Sequence, residues 1–312
     1  MGEVVENPDS IHVDFTKYDI KRRIDIKQVF QNCLRSCILI LNQDICMTKD
    51  VFIKLWKNNQ ICVCADGGAN RLYEFFQDED DRKTYLPTYI VGDMDSLRNE
   101  VREYYRGQNV LIIEQKCQYS NDFMKSIKVI SDHFASPTVP KLLETNINHV
   151  VSGLKASNNN TSHDQGKNDI APVKLVVLNA IYGRFDHTIQ SVAELYRLQN
   201  QLPHFSTYYL TPKDLLFLLP AGGTSLTFTE GERDHLFGNC GLLPLAGPCT
   251  IVKTEGLKWD VANWRTGILE GQLSTSNRFV GDNGCYINSD CSIVVNIELK
   301  WEVVEKDAFF EK

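Results

Sequence analysis

The chain has 312 residues, of which 43% are hydrophobic and 23% charged, and its formal net charge is -7. That length suits two domains, and the balance is that of a soluble globular protein. The acidic excess argues against a protein built to hold nucleic acid. No run approaches the ~18 apolar residues of a membrane span. The acidic start Met1–Glu6 lacks the apolar stretch of a secretory signal. Ten cysteines are present without a C-x-x-C pair, and several sit in apolar runs such as Ile61-Cys62-Val63-Cys64-Ala65. They are expected to be reduced core thiols of a cytoplasmic protein.

In chain order, the first thirty or so residues are mixed, with an amphipathic stretch around Ile24–Leu34. Ser36–Asn42 is a continuous apolar run of the kind a buried parallel strand needs. A helix is predicted over 48–58, with Thr48 as N-cap and Val51, Phe52 and Leu55 on one face. A strand at Gln60–Ala65 ends at Asp66-Gly67-Gly68, and a helical pattern follows over 69–76. A third strand, Tyr89–Val91, runs into Gly92-Asp93-Met94-Asp95-Ser96 and a charged helix over 97–106. A fourth, Val110–Ile113, precedes a helix from about Asn121 to Phe134. A fifth, Val173–Leu178, leads to Gly183-Arg184-Phe185-Asp186 and a helix over 187–201. Alternation of this kind predicts a doubly wound, mostly parallel α/β sheet over residues 1–210. Within it, 155–169 has no apolar periodicity and reads as a polar, mobile insertion. From 211 to 312, short β-rich runs alternate with Gly, Pro and Asn-Gly turns, and Asp282-Asn283-Gly284 is a hairpin signal. An all-β sandwich or barrel without a convincing helix is expected there.

Four strand–helix junctions carry unusual polar residues, and in a doubly wound sheet such junctions share one edge, where ligands bind. Asp66-Gly67-Gly68-Ala69-Asn70 lets backbone approach an anion beside a helix N-terminus, although a plain tight turn explains it equally well. It lacks the closing Lys-Ser/Thr of a Walker A loop. Asp93 and Asp95 can converge on a divalent cation, or cap the following helix. Asp122 and Lys125 can face phosphates, or form an ordinary i,i+3 ion pair. Arg184 and Asp186, with His187 beside them, place a guanidinium and a carboxylate at another strand end. Four bland explanations would have to hold at once for the site to be an accident.

These motifs, in this order, resemble eukaryotic thiamine pyrophosphokinases, and Gly256-Leu257-Lys258-Trp259 and Ser274-Thr275-Ser276-Asn277 are similar to that family's C-terminal motifs. The resemblance covers roughly residues 37–300, and the long polar insertion is similar to fungal members. It implies an α/β ATP-binding catalytic domain, a thiamine-binding β-sandwich and a homodimer holding thiamine in a cleft between subunits. The implied reaction turns ATP and thiamine into AMP and thiamine diphosphate. By motif, Asp93, Asp95 and Asp122 would hold Mg2+ and the ATP phosphates, with Lys125 and Arg184 offsetting charge. Asp66, Gly67, Gly68, Asn70, Gln118, Asp186 and His187 would complete the nucleotide environment. Ser274, Ser276 and Asn277 would approach thiamine, and Phe279 would stack on it. Asn121 and Met124 depart from the family's Thr-Asp-Phe-Thr-Lys pattern. Another small-molecule kinase, or a non-catalytic sensor on the same fold, is the alternative.

Overall fold

The computed structural model describes residues 2–135 and 171–304, so the polar segment 155–169 lies outside the described residues. The chain divides into two compact units: one of Asn32–Glu194 with Leu202–Ser206, the other of Met1–Gln31, Leu195–Gln201 and Thr207–Lys312. The first thirty-one residues, which the sequence pattern groups with the α/β half, therefore belong to the β unit. Backbone pairing is the reason. Strand β1 (Glu3–Glu6) pairs antiparallel with a strand near residue 260, and β2 (Arg22–Asp25) pairs parallel with one near residue 225.

In the α/β unit, β3 (Ser36–Ile40) leads to α1 (Lys49–Lys57), β4 (Ile61–Ala65), α2 (Gly68–Phe75) and α3 (Glu79–Thr84). Then come β5 (Tyr89–Gly92), α4 (Asn99–Gly107), β6 (Leu111–Glu114), α5 (Asp122–Ala135), β7 (Val173–Leu178) and α6 (Phe185–Gln201). The sheet order is β7-β3-β4-β5-β6, parallel throughout. Every residue of β3, β4 and β7 is buried. Cover on both faces is why these strands read as unbroken apolar runs. Helix α1 buries Val51, Phe52 and Leu55, and the Thr48 hydroxyl accepts the Val51 N–H at 3.5 Å, as an N-cap does. Helix α5 packs against β4 and β5, which carries its first turn to the carboxyl ends of those strands.

The β unit continues with β8 (Phe205–Leu210), β9 (Asp214–Leu219), β10 (Gly222–Thr227), α7 (Glu230–Leu236) and β11 (Phe237–Leu243). It ends with β12 (Cys249–Glu255), β13 (Trp259–Thr266), β14 (Ser274–Arg278), β15 (Gly284–Ser289), β16 (Ile293–Leu299) and α8 (Trp301–Val304). One sheet runs β1-β13-β12-β15-β10-β2, and β14-β11-β16-β9-β8 are five consecutive strands of a ten-stranded sheet, giving the expected β-sandwich. Helix α7 was not expected from the strand-rich pattern. It forms because Thr229 and Glu232 make a reciprocal capping box: Glu232 N–H donates to Thr229 Oγ1 at 3.2 Å, and Thr229 N–H to Glu232 Oε2 at 2.8 Å.

Candidate active site

The carboxyl ends of β4 and β5 and the start of α5 bring Asp66, Asp93 and Asp122 together, each offering an oxygen within 4.8 Å of the others. Two close backbone approaches make this possible. A Cβ at Gly92 would stand 2.5 Å from Asp66 Cβ and 3.2 Å from Asp122 Oδ1, so only glycine at the end of β5 leaves room for the cluster. A Cβ at Gly68 would stand 2.2 Å from the Ile40 carbonyl oxygen, so α2 can start this close to β3 only on a glycine.

Asp66 itself adopts φ 42°, a left-handed conformation that costs a non-glycine residue of order 1 kcal/mol or more. Its N–H donates to Val91 O at 2.8 Å, its carbonyl accepts the Ala69 N–H at 3.1 Å, and its Oδ2 accepts the Ser96 N–H at 3.0 Å. Its Oδ1 is buried and has no hydrogen-bond partner. An orphaned buried carboxylate oxygen is rare and marks a place where a ligand is wanted. Burial pushes the Asp66 carboxyl up to about 7, against the Ser96 N–H and with help from the Asp122 and Asp95 carboxylates.

Lys125, 1% exposed, sits beneath the cluster. Its Nζ donates to Asp122 Oδ1 at 2.9 Å and to Asp93 Oδ2 at 3.3 Å. Burial disfavours the ammonium, but the two carboxylates outweigh it and hold the lysine above its ordinary value. Burial opposes ionisation of Asp93 as well, yet Lys125 keeps that group below the usual carboxylate range. For Asp122 burial wins over Lys125, and its carboxyl is raised. The site thus crowds three carboxylates around a single fixed ammonium. That imbalance favours an added divalent cation.

Other sequence-predicted residues divide by geometry. Gln118 joins the cluster, donating from Nε2 to Asp93 Oδ2 at 3.2 Å. Asp95 stands beside it, close enough to Asp66 to raise that group, but is not a member of the three-carboxylate cluster. Its Oδ1 instead accepts the Ser96 hydroxyl at 3.0 Å. Asn70 ties α2 to the next loop, donating to Ser96 O at 2.8 Å and accepting the Arg98 N–H at 3.1 Å. Gly67 lies against the Asn42 side chain. At the end of β7, Arg184 pairs with Asp186 through two hydrogen bonds, and both stay exposed, as does His187. No hydrogen bond in the described residues joins that pair to the carboxylates. The departures from the family pattern have structural reasons: Asn121 Oδ1 accepts the Met124 N–H at 2.9 Å and its Nδ2 donates to Glu194 at 2.8 Å, while Met124 is core.

In the β unit, Ser276 on β14 is exposed and Ser274 half-buried, but Asn277 turns inward. Its Oδ1 accepts the Trp259 N–H at 3.2 Å and the Arg278 N–H at 2.9 Å, and its Nδ2 donates to Trp259 O at 2.9 Å. Asn277 therefore fixes β14 against the start of β13. Phe279 packs on Phe228 and Phe237 at ring-centroid distances of 4.9 and 6.0 Å and is 5% exposed. It also lines a cavity of about 560 Å³ with Arg233, Arg278 and Lys300. The aromatic ring left open beside Asn277 is that of Trp259, at 43% exposure.

A parallel α/β sheet whose strand ends gather three carboxylates over a buried lysine defines a phosphate-handling enzyme of the doubly wound class. Similarity narrows the class. "Thiamin pyrophosphokinase, catalytic domain" describes residues 52–205, and "Thiamin pyrophosphokinase, vitamin B1 binding domain" describes residues 226–294. Thiamine pyrophosphokinase of Saccharomyces cerevisiae is 40% identical over 308 residues, covering 95% of this chain and 96% of its own. The crystal structure of the yeast enzyme matches with a TM-score of 0.90 at 39% identity, over 97% of this chain and 99% of that one. Thiamin pyrophosphokinase from Candida albicans matches at 0.83 and 36%, over 96% and 99%. The chain belongs to the thiamine pyrophosphokinase family and is a transferase.

Proposed function

We propose that this chain transfers the terminal diphosphate of ATP to the hydroxyl of thiamine, releasing thiamine diphosphate and AMP. The observation that carries the site assignment is the Asp66–Asp93–Asp122 cluster, with its unpartnered Asp66 oxygen and the Lys125 ammonium beneath it. These oxygens fit a magnesium ion, a hard cation that takes few protein carboxylates and leaves room for phosphates. Bound there, magnesium supplies positive charge that draws phosphate oxygens into place and offsets their charge.

The remaining work falls to residues of the chain. A bond forms between the thiamine oxygen and the β-phosphorus. The bond from that phosphorus to the oxygen bridging to the α-phosphate breaks, so that AMP leaves with that oxygen, and the hydroxyl proton passes to a nearby carboxylate or to water. Such transfers depend on positioning and charge neutralisation more than on covalent help. Lys125 holds Asp93 and Asp122 in fixed orientation, and its charge favours phosphate nearby. Gln118 supports Asp93, and Asp95 adds a carboxylate at the cluster's edge. The exposed Arg184, with Asp186 and His187, is free to meet the nucleotide. Gly67, Gly68 and Asn70 shape the turn that the phosphates approach.

Thiamine falls to the β unit, where Ser274 and Ser276 reach the surface and the open Trp259 ring suits a cationic heterocycle. Phe279 backs this surface from within its aromatic cluster. We place the active enzyme as a homodimer whose thiamine cleft lies between subunits. The exposed apolar side chains of Trp259, Ile268, Leu269 and Leu273 are available to such an interface. Among the described residues no helix is long and apolar enough to cross a membrane, and the cytoplasm is the proposed location. Incubation with ATP, thiamine and magnesium, with and without a chelator, tests the reading. AMP and thiamine diphosphate should appear together and stop on chelation. ADP as product would mean single phosphoryl transfer, and binding without turnover would mean a sensor; either result overturns it.

A further inference from the structure

A second cluster of ligand-type side chains lies in the β unit and has no part in the chemistry above. Cys249 opens β12, and Asp290 and Cys291 form the turn between β15 and β16. Their two sulfurs and one carboxylate oxygen all lie within 4.8 Å of one another. We propose that Cys249, Asp290 and Cys291 form a site for a thiophilic divalent cation of the zinc class, clamping the start of β12 to the β15–β16 turn.

Three features support the assignment. First, the donor set is right for a borderline-soft ion. Zinc binds thiolate sulfur at about 2.3 Å and carboxylate oxygen at about 2.0–2.2 Å, which puts donors around one ion roughly 3.5–4 Å apart. Two sulfurs exclude magnesium as the preferred guest, so this site and the all-oxygen cluster of the α/β unit select different metals. Second, the carboxylate is already oriented. Asp290 Oδ1 accepts the Thr250 N–H at 2.8 Å, and the Asp290 N–H donates to Thr250 O at 3.0 Å. The backbone thus aims the carboxylate, as outer hydrogen bonds aim a ligand, and the Cys249 thiol already hydrogen-bonds to it, so a bound metal would take the place of that thiol proton. The Ser289 hydroxyl pins the turn further by donating to Cys291 O at 2.8 Å. Third, exposure is graded. Cys249 is buried, Cys291 half-buried and Asp290 exposed, so an ion can enter from solvent and keep a fourth position for water.

The probe is Co2+ added to the fully reduced, metal-free protein. One equivalent should give thiolate-to-cobalt charge-transfer absorption, displaced by Zn2+ and unaffected by excess Mg2+. Zn2+ should also raise the unfolding temperature. Cys291→Ser, on a half-exposed turn, should abolish both signals, and Asp290→Asn should weaken binding by about 10- to 100-fold. The exposed Cys33 and Cys46 and half-buried Cys117 could bind metal adventitiously, so a variant with all three changed to Ser should keep the signal. Absorption that survives Cys291→Ser, vanishes in the triple variant, or never appears overturns the proposal. So does formation of a Cys249–Cys291 disulfide in a protein that takes up no metal when reduced.

Discussion

Lys125 and Asp122 lie one helical turn apart on α5, and the lysine Nζ donates to Asp122 Oδ1 at 2.9 Å from a position closed to solvent. The same Nζ reaches Asp93 Oδ2 at 3.3 Å, so one buried cation spans a carboxylate after β5 and one at the start of α5. Removing a single partner from such a buried arrangement leaves unbalanced charge. Lys125→Met is therefore expected to lower stability by about 2–4 kcal/mol in the absence of metal, and magnesium should restore part of the loss. Denaturant melts with and without magnesium check this. A variant as stable as the wild type under both conditions would show that the ammonium does not hold the cluster together.

Replacing Asp122 by Asn keeps the shape of the side chain but removes one of three clustered carboxyl groups. Turnover should fall by roughly a hundredfold or more, the scale of losing a transition-state electrostatic contact, while the far-UV circular dichroism stays that of the folded protein. Asp95→Asn should fall less, because Asp95 lies at the edge of the cluster and already takes the Ser96 hydroxyl. Magnesium dependence of the rate separates the two. The required magnesium concentration should rise steeply for Asp122→Asn and only modestly for Asp95→Asn. Equal effects would return Asp95 to the ligand set.

That difference between Asp95 and Asp66 shows where sequence reading stops. The core of the α/β sheet was legible because β3, β4 and β7 are buried on both faces and read as apolar runs. The junction motifs were legible because glycines and charged residues interrupt the apolar pattern at four strand–helix junctions that share one sheet edge. Spacing, however, allowed Asp93 and Asp95 either to share a cation or to cap a helix, and it was the family resemblance that implied both as ligands. Between them Met94 adopts φ 68°, a left-handed kink that spacing does not reveal. Asp66 enters the cluster instead because β4 and β5 are neighbours and Gly92 presents no side chain. The same limit applies at the N-terminus. The exposed edge strand Glu3–Glu6 carries no core signal of its own and is fixed by pairing with residues some 250 positions away. The capping box of α7 is written locally, in Thr229 and Glu232, inside a segment dominated by strand signals.

A pH effect follows from His133 near the end of α5. Its Nδ1 is 2.9 Å from the Tyr89 hydroxyl, and its ring packs edge-on to Tyr89 and Phe134. Burial holds the imidazole below its ordinary value of 6.5. Below that pH the unfolded chain binds a proton that the folded chain resists, so stability rises with pH across this interval. The contribution is intact above pH 6.5 and is lost as pH falls through the lowered folded value. His133→Gln retains a polar partner for Tyr89 but cannot titrate. Melting temperatures measured from pH 7.5 to 5 should fall more steeply for the wild type than for the variant. Parallel curves would mean that His133 protonates freely in the folded state.

Two aromatic residues compete for the thiamine ring, and their burial separates them. Phe279 contacts Phe228 and Phe237 and is 5% exposed, so truncating it removes core packing. Phe279→Ala should cost about 3–5 kcal/mol of stability, the range for a buried phenylalanine. Trp259 is 43% exposed, and its backbone, held by both polar ends of Asn277, keeps its place when the ring is removed. Trp259→Ala should leave stability within about 1 kcal/mol of the wild type, as surface changes do. If its ring stacks on the thiazolium, losing that contact should raise KM for thiamine about 3- to 30-fold, the equivalent of about 0.5–2 kcal/mol for a cation over an aromatic face. KM for ATP should not move. Should Trp259→Ala leave thiamine binding untouched while a stable Phe279→Leu variant loses it, the stacking ring is Phe279, and the aromatic cluster must open to admit the substrate.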